Sequence, residues 1–413
     1  MKPRPTAHRP RILRKLLSRS TLSKLAIVFI IWTVVEAHLI YYRIARAERE
    51  SRSQAALHRP ARVFIASLHW NNEEILRSAW NKGVVDLVKA LGPDNVFVSV
   101  YESGSWDDSK GALRELDRQL DKTGVGKKIV LDETTHAELI AGPPEDEGWI
   151  AGPRAQKALR RIPYLSKLRN LSMQPLRELA ENGTTFDHVL FLGDVAFTVP
   201  DVIALLRTNN GHYAAACSLD FSKPPLFYDT FALRDAQGHE AASQTWPYFR
   251  AASSRKAMTH GEPVPVSSCW NGIVAMPASA FAGTGGLKFR GVDDSLAAAH
   301  VEGSECCLIH ADNPASRTRG VFLNPTVRVG YNKNAYDVVH PRLAGSWLSL
   351  SQIWSGLWRN RLARWFTTPR FKESRVRGRV ARWERAAEGR EEKGGFCLIN
   401  EMQVVVGNGW AHL

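Results

Sequence analysis

The chain has 413 residues, 44% of them hydrophobic and 23% charged, enough to bury one large core or two modest ones. A net charge of +14 would suit nucleic acid if the basic residues lay on a folded face, but eight Lys or Arg and no acid fall within residues 1–24, directly ahead of an apolar run. That placement points to a membrane instead of nucleic acid. The five cysteines are too few for a disulfide scaffold and lack the C-x-x-C spacing of a sulfur-ligated zinc site.

In chain order, the tail 1–24 leads into LAIVFIIWTVVEAHLIYY, residues 25–42, which as a helix would reach roughly 27 Å and so nearly cross a bilayer. Glu36 and His38 oppose that reading because each is costly in hydrocarbon. No small-residue cleavage site follows, so an uncleaved signal anchor is favoured over a signal peptide. The positive-inside rule then puts the tail in the cytosol and everything after Tyr42 in a lumen. Residues 43–60 are polar and read as a stem, and the sequons at Asn170 and Asn182 suit a lumenal address. One or two disulfides would suit it too, with a pairing that spacing does not reveal.

Beyond the stem, strands alternate with helices. ARVFIASL (61–68) reads as a strand and 72–91 as a helix ended by Gly92-Pro93. NVFVSVYE (95–102) is a second strand, 109–122 a helix and KKIVL (127–131) a third strand. A long helical stretch from about Ala155 to Glu181 precedes the apolar run at Val189–Leu192, and Thr198, Pro200 and Asp201 open a further helix. YAAACSLD (213–220) is another strand. This alternation predicts an α/β fold, a mainly parallel sheet with helices on both faces. Its ligand site is expected beyond the carboxyl ends of the strands.

Polar groups gather after those strands. Glu102, Ser103, Ser105, Asp107 and Asp108 follow the second strand, Asp194 follows the strand at 189–192, and Asp220 closes the strand at 213–220. Any one of these acids has a plainer role as a helix cap. Three sets at one sheet edge make a shared polar cleft the better reading, with the first loop placed to take a nucleoside. There is no G-x-x-x-x-G-K-[ST] and no G-x-G-x-x-G after the first strand, so a nucleotide's phosphates would need a carboxylate-held divalent ion. That is the chemistry of a nucleotide-sugar transferase.

The blocks HWNNEEIL, VSVYESGSWDDSK, RRIPYLSKLRN, LFLGDVAFTVPDV, AAACSLDFSKPPLFYDTFALRD, SCWNGI, GSECCLIHAD and LNPTVRVGY lie in order from about Arg62 to Tyr331. Together they resemble the fungal capsule-associated α-1,3-mannosyltransferases, glycosyltransferase family 69. The resemblance implies a GT-A fold, a type II Golgi membrane protein, GDP-mannose as donor, a mannose-containing glycan as acceptor and a retaining transfer. It makes Asp194 the ligand of Mn²⁺ or Mg²⁺ and a catalytic residue, although the family's usual Asn-Asp-Val is Gly193-Asp194-Val195 here. A second carboxylate two residues away is missing, so Asp220 or His310 is the expected partner. Glu305 is a second catalytic candidate, with opening a helix as its plainer role.

Donor contacts are expected from Glu102, Ser103, Asp107, Asp220, Arg234 and Arg328, and acceptor contacts from Trp270, Asn271 and Asp235. A core role for Trp270 is equally open, and charged loop residues are usually solvated. The catalytic unit is expected over 61–342, followed by a basic, Trp-rich appendage, 343–413. Arg359 to Lys393 carries twelve Lys or Arg against five acids, a pattern of a solvated helix or, less readily, of a surface lying on anionic lipid. An alternative from another class is a catalytically silent lumenal partner that keeps the sugar cleft, motivated by the lone Asp194.

Overall fold

A computed structural model describes residues 19–55, 61–144, 147–152, 157–283, 285–341 and 345–413. Most of the basic tail and residues 56–60 of the expected stem lie outside the described residues. The apolar segment and the rest of the stem form one helix, α1 (Arg19–Ala55). It contains the one stretch among the described residues that is long and apolar enough to cross a membrane. Its amino-terminal half exposes Leu25, Ile27, Val28, Ile30 and Ile31, whereas Thr33, Ala37, Ile40 and Ile44, spaced three or four apart, are buried against the globular part. The stem is therefore no free linker. Glu48 lies 3.3 Å from Arg328, and Thr326 donates to Ser51 at 3.0 Å.

The chain then alternates through β1 (Val63–His69), α2 (Asn81–Leu91), β2 (Val96–Ser103), α3 (Ser109–Asp121) and β3 (Gly126–Asp132). The helical stretch expected over 155–181 is interrupted. Residues Lys157–Leu159 are extended, α4 runs Arg161–Ser172, and a separate helix covers Gln174–Glu181. Pro175 explains the break, since it lacks an N–H and clashes with the preceding turn, so it sits at the start of the second helix. Next come β4 (His188–Leu192), α5 (Val199–Leu206), β5 (Ala215–Lys223), α6 (Ala252–His260), β6 (Val264–Ser268), β7 (Ile273–Pro277), α7 (Glu305–Asp312) and β8 (Val321–Gly330).

These strands build a ten-stranded sheet in the order β3-β2-β1-β4-β7-β5-β8-β6, continued by Arg234–Asp235, with Leu226–Phe227 paired to β5. Pairings among β1, β2, β3 and β4 are parallel, as is β5 with β8; β7 runs antiparallel between β4 and β5. The mixed, mainly parallel sheet expected from the sequence is present. Successive residues face opposite sides: Val63 and Ile65 join one apolar cluster, Phe64 and Ala66 the other. Burial on both faces accounts for the nearly continuous apolar runs.

The C-terminal region is fastened to this domain and does not hang from it as an appendage. Helix α8 (Leu350–Phe366) packs on α1 and is followed by α9 (Arg370–Arg385). Leu398–Ile399 pairs with Glu302–Gly303, Val404 bridges to Arg160, and Cys397 is disulfide-bonded to Cys307 of α7. A second disulfide joins Cys217 of β5 to Cys269, and Cys306 is a free, buried thiol.

Candidate active site

The carboxyl ends of β1, β4, β5 and β8 meet the start of antiparallel β7 at one edge of the sheet. A polar cavity of about 120 Å³ opens there, lined by Ser67, Arg169, Asp194, Asp229, Trp270 and Tyr331 among others. Asp194 reaches it because β4 ends two residues earlier. Gly193 allows the chain to turn beside β7: its N–H donates to the Gly272 carbonyl at 2.8 Å, and a Cβ at Gly193 would sit 2.7 Å from that oxygen. Gly272 itself has φ +82°, and a Cβ there would meet Val329 Cγ2 at 2.3 Å. This close approach of two glycines leaves no room for a side chain at either position in this chain. The Trp80 indole, on a π-helical turn of residues 76–80, donates to the Gly193 carbonyl at 2.9 Å and braces the loop.

Asp194 is not a helix cap. Helix α5 is capped by Thr198, whose side chain accepts from the Asp201 N–H while Asp201 reaches back to Thr198. Asp194 instead accepts from Asn72 Nδ2 at 3.0 Å. Burial raises its pKa, opposed by its own backbone N–H, by Asn72 and by the Arg169 charge. Arg169, from α4, lies across the Trp270 ring at 5.0 Å and donates to Glu305 Oε1 at 3.0 Å. Burial alone would raise the Glu305 carboxyl, but Arg169 and then Arg161 hold it below the usual range. Glu305 stands at the first turn of α7 and keeps Arg169 at the cavity.

Asp229 was not singled out from sequence, yet it lines the cavity. Its N–H faces both carboxylate oxygens of Asp220, at 3.2 and 3.3 Å. Burial and then the Asp229 charge push Asp220 up to about 7, and burial likewise raises Asp229. Asp220 is fully buried and also accepts from Asn271 Nδ2 at 2.8 Å and from the Tyr331 hydroxyl at 3.1 Å. Asp220 and Asn271 therefore set the position of Asp229 and Tyr331 from behind, and neither faces the cavity as expected. The clue in the sequence was FYDTF, an acid in the loop after β5, but nothing in its spacing marked it out.

Other expectations are corrected by packing. Glu102 is wholly buried, accepts from the Ser105 N–H at 2.6 Å and pairs with Lys110 at 3.3 Å, so it shapes its loop without reaching a nucleoside. Ser103 is hydrogen-bonded to Tyr164, and Asp107 accepts from the Glu73 and Ser109 N–H groups, tying together the starts of two helices. Arg234 is spent on the carbonyls of Phe231, Leu233, Phe396 and Cys397, and Arg328 on those of Pro325 and Val339; both are closed to a donor phosphate. Asp235 accepts from the N–H groups of Gln237, His239, Arg250 and Ala251, which closes it to an acceptor. His310 Nε2 bonds the Cys269 carbonyl at 2.8 Å, and the side chain is buried behind the cavity without lining it, so it does not stand beside Asp194. Asn170 is half-buried, with its amide bonded both ways to the Phe289 backbone, whereas Asn182 is exposed after the helix Gln174–Glu181. Among the described residues no group of three or more His, Cys, Asp or Glu is arranged to hold a metal.

The family described as Cryptococcal mannosyltransferase 1 matches residues 62–312, which include the cavity's carboxylates, Arg169 and Trp270. The chain belongs to this family. Its membership of this mannosyltransferase family makes it a protein of glycosyl transfer, a hexosyltransferase by type. No curated protein matches it by sequence. Similar solved structures include S. aureus TarS 1-349, at 10% identity and TM-score 0.36 over 75% of this chain and 74% of that one. A mannosyltransferase from Pyrobaculum calidifontis, solved with GDP-Man and Mn²⁺, is 13% identical with TM-score 0.33 over 86% of this chain and 88% of that one. GalNAc-T7 with UDP, GalNAc and Mn²⁺ is 12% identical, TM-score 0.36, over 65% of this chain and 43% of that one. These likenesses are remote.

Proposed function

We propose that this member of the mannosyltransferase family moves mannose from GDP-mannose to a mannose-containing glycan, forming an α-1,3 bond with retention, in the Golgi lumen behind a single-pass anchor. The observation that carries the proposal is the cavity at the strand ends, inside the family-matched residues, where two carboxylates and one guanidinium meet an aromatic face. Disulfides Cys217–Cys269 and Cys307–Cys397 support an oxidising compartment. The candidate span Thr21–Ser53, which contains the apolar run 25–42, supports the anchor.

The donor set suits a divalent ion. Asp194 and Asp229 both face the cavity, and burial disfavours the charge on each, so a cation there would relieve a cost already present. An ion that also binds substrate phosphates needs only one or two protein carboxylates, which accommodates the absence of a larger cluster among the described residues. When bound, such an ion supplies charge stabilisation for the departing diphosphate. The chain's own groups do the rest. Arg169 brings a fixed positive charge, Glu305 holds it in place, and the buried Trp270 ring backs its guanidinium. For retention, the acceptor hydroxyl forms the new bond to the anomeric carbon either on the face from which the GDP oxygen departs or after a covalent enzyme intermediate has displaced GDP. Its proton is lost to a base or to the departing phosphate.

The second reading, a silent lumenal partner, is favoured by the missing acid two residues from Asp194 in sequence and by the lack, among the described residues, of a three-residue metal cluster. Incubating the purified full chain with labelled GDP-mannose, Mn²⁺ and mannose oligosaccharides separates the two. Transfer or hydrolysis of the donor supports the enzyme, and binding without turnover supports the partner.

A further inference from the structure

Two exposed apolar surfaces among the described residues adjoin each other. Helix α8 lies beside α1 inside the candidate span: the Trp358 ring is 5.1 Å from Phe29 and 6.5 Å from Trp32, and Arg361 lies over both Trp32 and Trp358, at 4.9 and 4.7 Å. Arg361 also pairs with Glu36 at 2.5 Å, which answers the charge that weighed against the span. On its inner side α8 is rigidly held. Gly356 comes so close to Trp246 that a Cβ would sit 2.2 Å from its carbonyl oxygen, and Asn360 donates to the Phe249 carbonyl at 3.1 Å. On its outer side Trp354, Leu362, Trp365 and Phe366 are exposed, joined by Phe371 at the start of α9; Phe366 is 80% and Phe371 82% exposed.

Resting on the reading of α1 as a membrane anchor, we propose that α8 and the start of α9 form a second membrane contact, seated in the headgroup–acyl boundary of the leaflet where α1 emerges. Length carries the inference. From Leu25 to Trp32, ahead of the first buried residue Thr33, α1 provides about 12 Å of helix, less than the ~30 Å hydrocarbon core. The remaining depth falls at residues 33–42, where one face of α1 is already docked on the globular part. Whatever flanks α1 there must itself meet lipid, and α8, paired to it through Glu36 and Arg361, is one of those flanks. The charge pattern fits this placement, with Arg359, Arg370, Lys372, Arg375 and Arg377 exposed beside the aromatic residues at the level expected for phosphate headgroups. The transfer site would then be held close to the membrane surface, suited to acceptors on lipid or on other membrane proteins.

The test uses the full chain reconstituted into bilayers of phosphatidylcholine with a minor fraction of phosphatidylserine. A polarity-sensitive fluorophore is attached in turn through Phe366→Cys, Val28→Cys and Lys122→Cys, the last being exposed beside β3 at the far edge of the sheet. All three side chains are exposed, so folding is not at stake. The expected result is blue-shifted emission, quenched by lipid-borne nitroxide, at positions 28 and 366, with water-like emission at 122. Quenching at 28 but water-like emission at 366 overturns the second contact and leaves the anchor standing. A blue shift at 366 without lipid quenching means a protein covers the face, and also overturns it. Absence of quenching at both positions overturns the anchor and the contact together.

Discussion

Replacing Asp194 by Asn should separate stability from activity in opposite directions. The substitution keeps the size of the side chain and an oxygen able to accept from Asn72, which lies 3.0 Å away. It removes a negative charge that burial disfavours. Each unit by which burial raises a carboxyl pKa corresponds to about 1.4 kcal/mol of penalty on the charged form. Without metal, Asp194→Asn should therefore be as stable as wild type or gain up to about 1 kcal/mol. Because the folded pKa is raised, the wild-type carboxyl costs nothing below its unfolded value and most above its folded one. Any advantage of the variant should accordingly grow as pH rises. Activity should fall on the order of a hundredfold or more, as when one charge-stabilising group is removed from an active site. The assay is transfer from GDP-mannose and chemical denaturation on the same preparation, with chelator and with Mn²⁺. Wild type alone should gain stability from Mn²⁺ plus GDP, since only binding to the folded state stabilises it. Near wild-type transfer by the variant at saturating Mn²⁺ would refute the metal role. A loss of stability beyond 1 kcal/mol in chelator, roughly what a lost cap costs, would refute the burial argument.

Asp220, raised to about 7, should make the protein lose stability as pH rises from about 4 to 7, since the folded state holds that proton more tightly; Asp229→Asn should flatten the slope measured by urea denaturation. Arg169→Met should destabilise by about 3–5 kcal/mol by stranding the buried Glu305 carboxylate. The double change Arg169→Met with Glu305→Gln should recover much of that stability in a thermal melt while transfer stays lost. Cys307→Ser should cost about 2–5 kcal/mol, because the lost bridge closes a long loop and fastens the C-terminal segment. In native protein from a secretory host, Asn182→Gln should abolish the gel shift on deglycosylation, and Asn170→Gln should leave it unchanged.

Periodicity alone predicted the alternating strands and helices, the sheet type and the helix opened by Thr198 and Asp201. Each depends on neighbours within a few residues, through side-chain alternation, caps and breakers. Asp194 was legible for the same reason: an acid directly after a buried apolar run has few places to go. Pairings across the chain were not legible. Asp229 meets Asp220 only because the loop after β5 folds back, and Arg169 reaches Glu305 across 136 residues. Glu102, Arg234, Asp235, Arg328 and His310 carried the right chemistry for a site but are consumed by nearby N–H and carbonyl groups, a satisfaction that only packed backbone reveals. The span at 25–42 was visible as composition, while its docking against α8 needed Glu36 and Arg361 to be brought together across 325 residues. Local sequence settles what a segment becomes; which charges and carboxylates face the same space depends on chain crossings that the linear order does not encode.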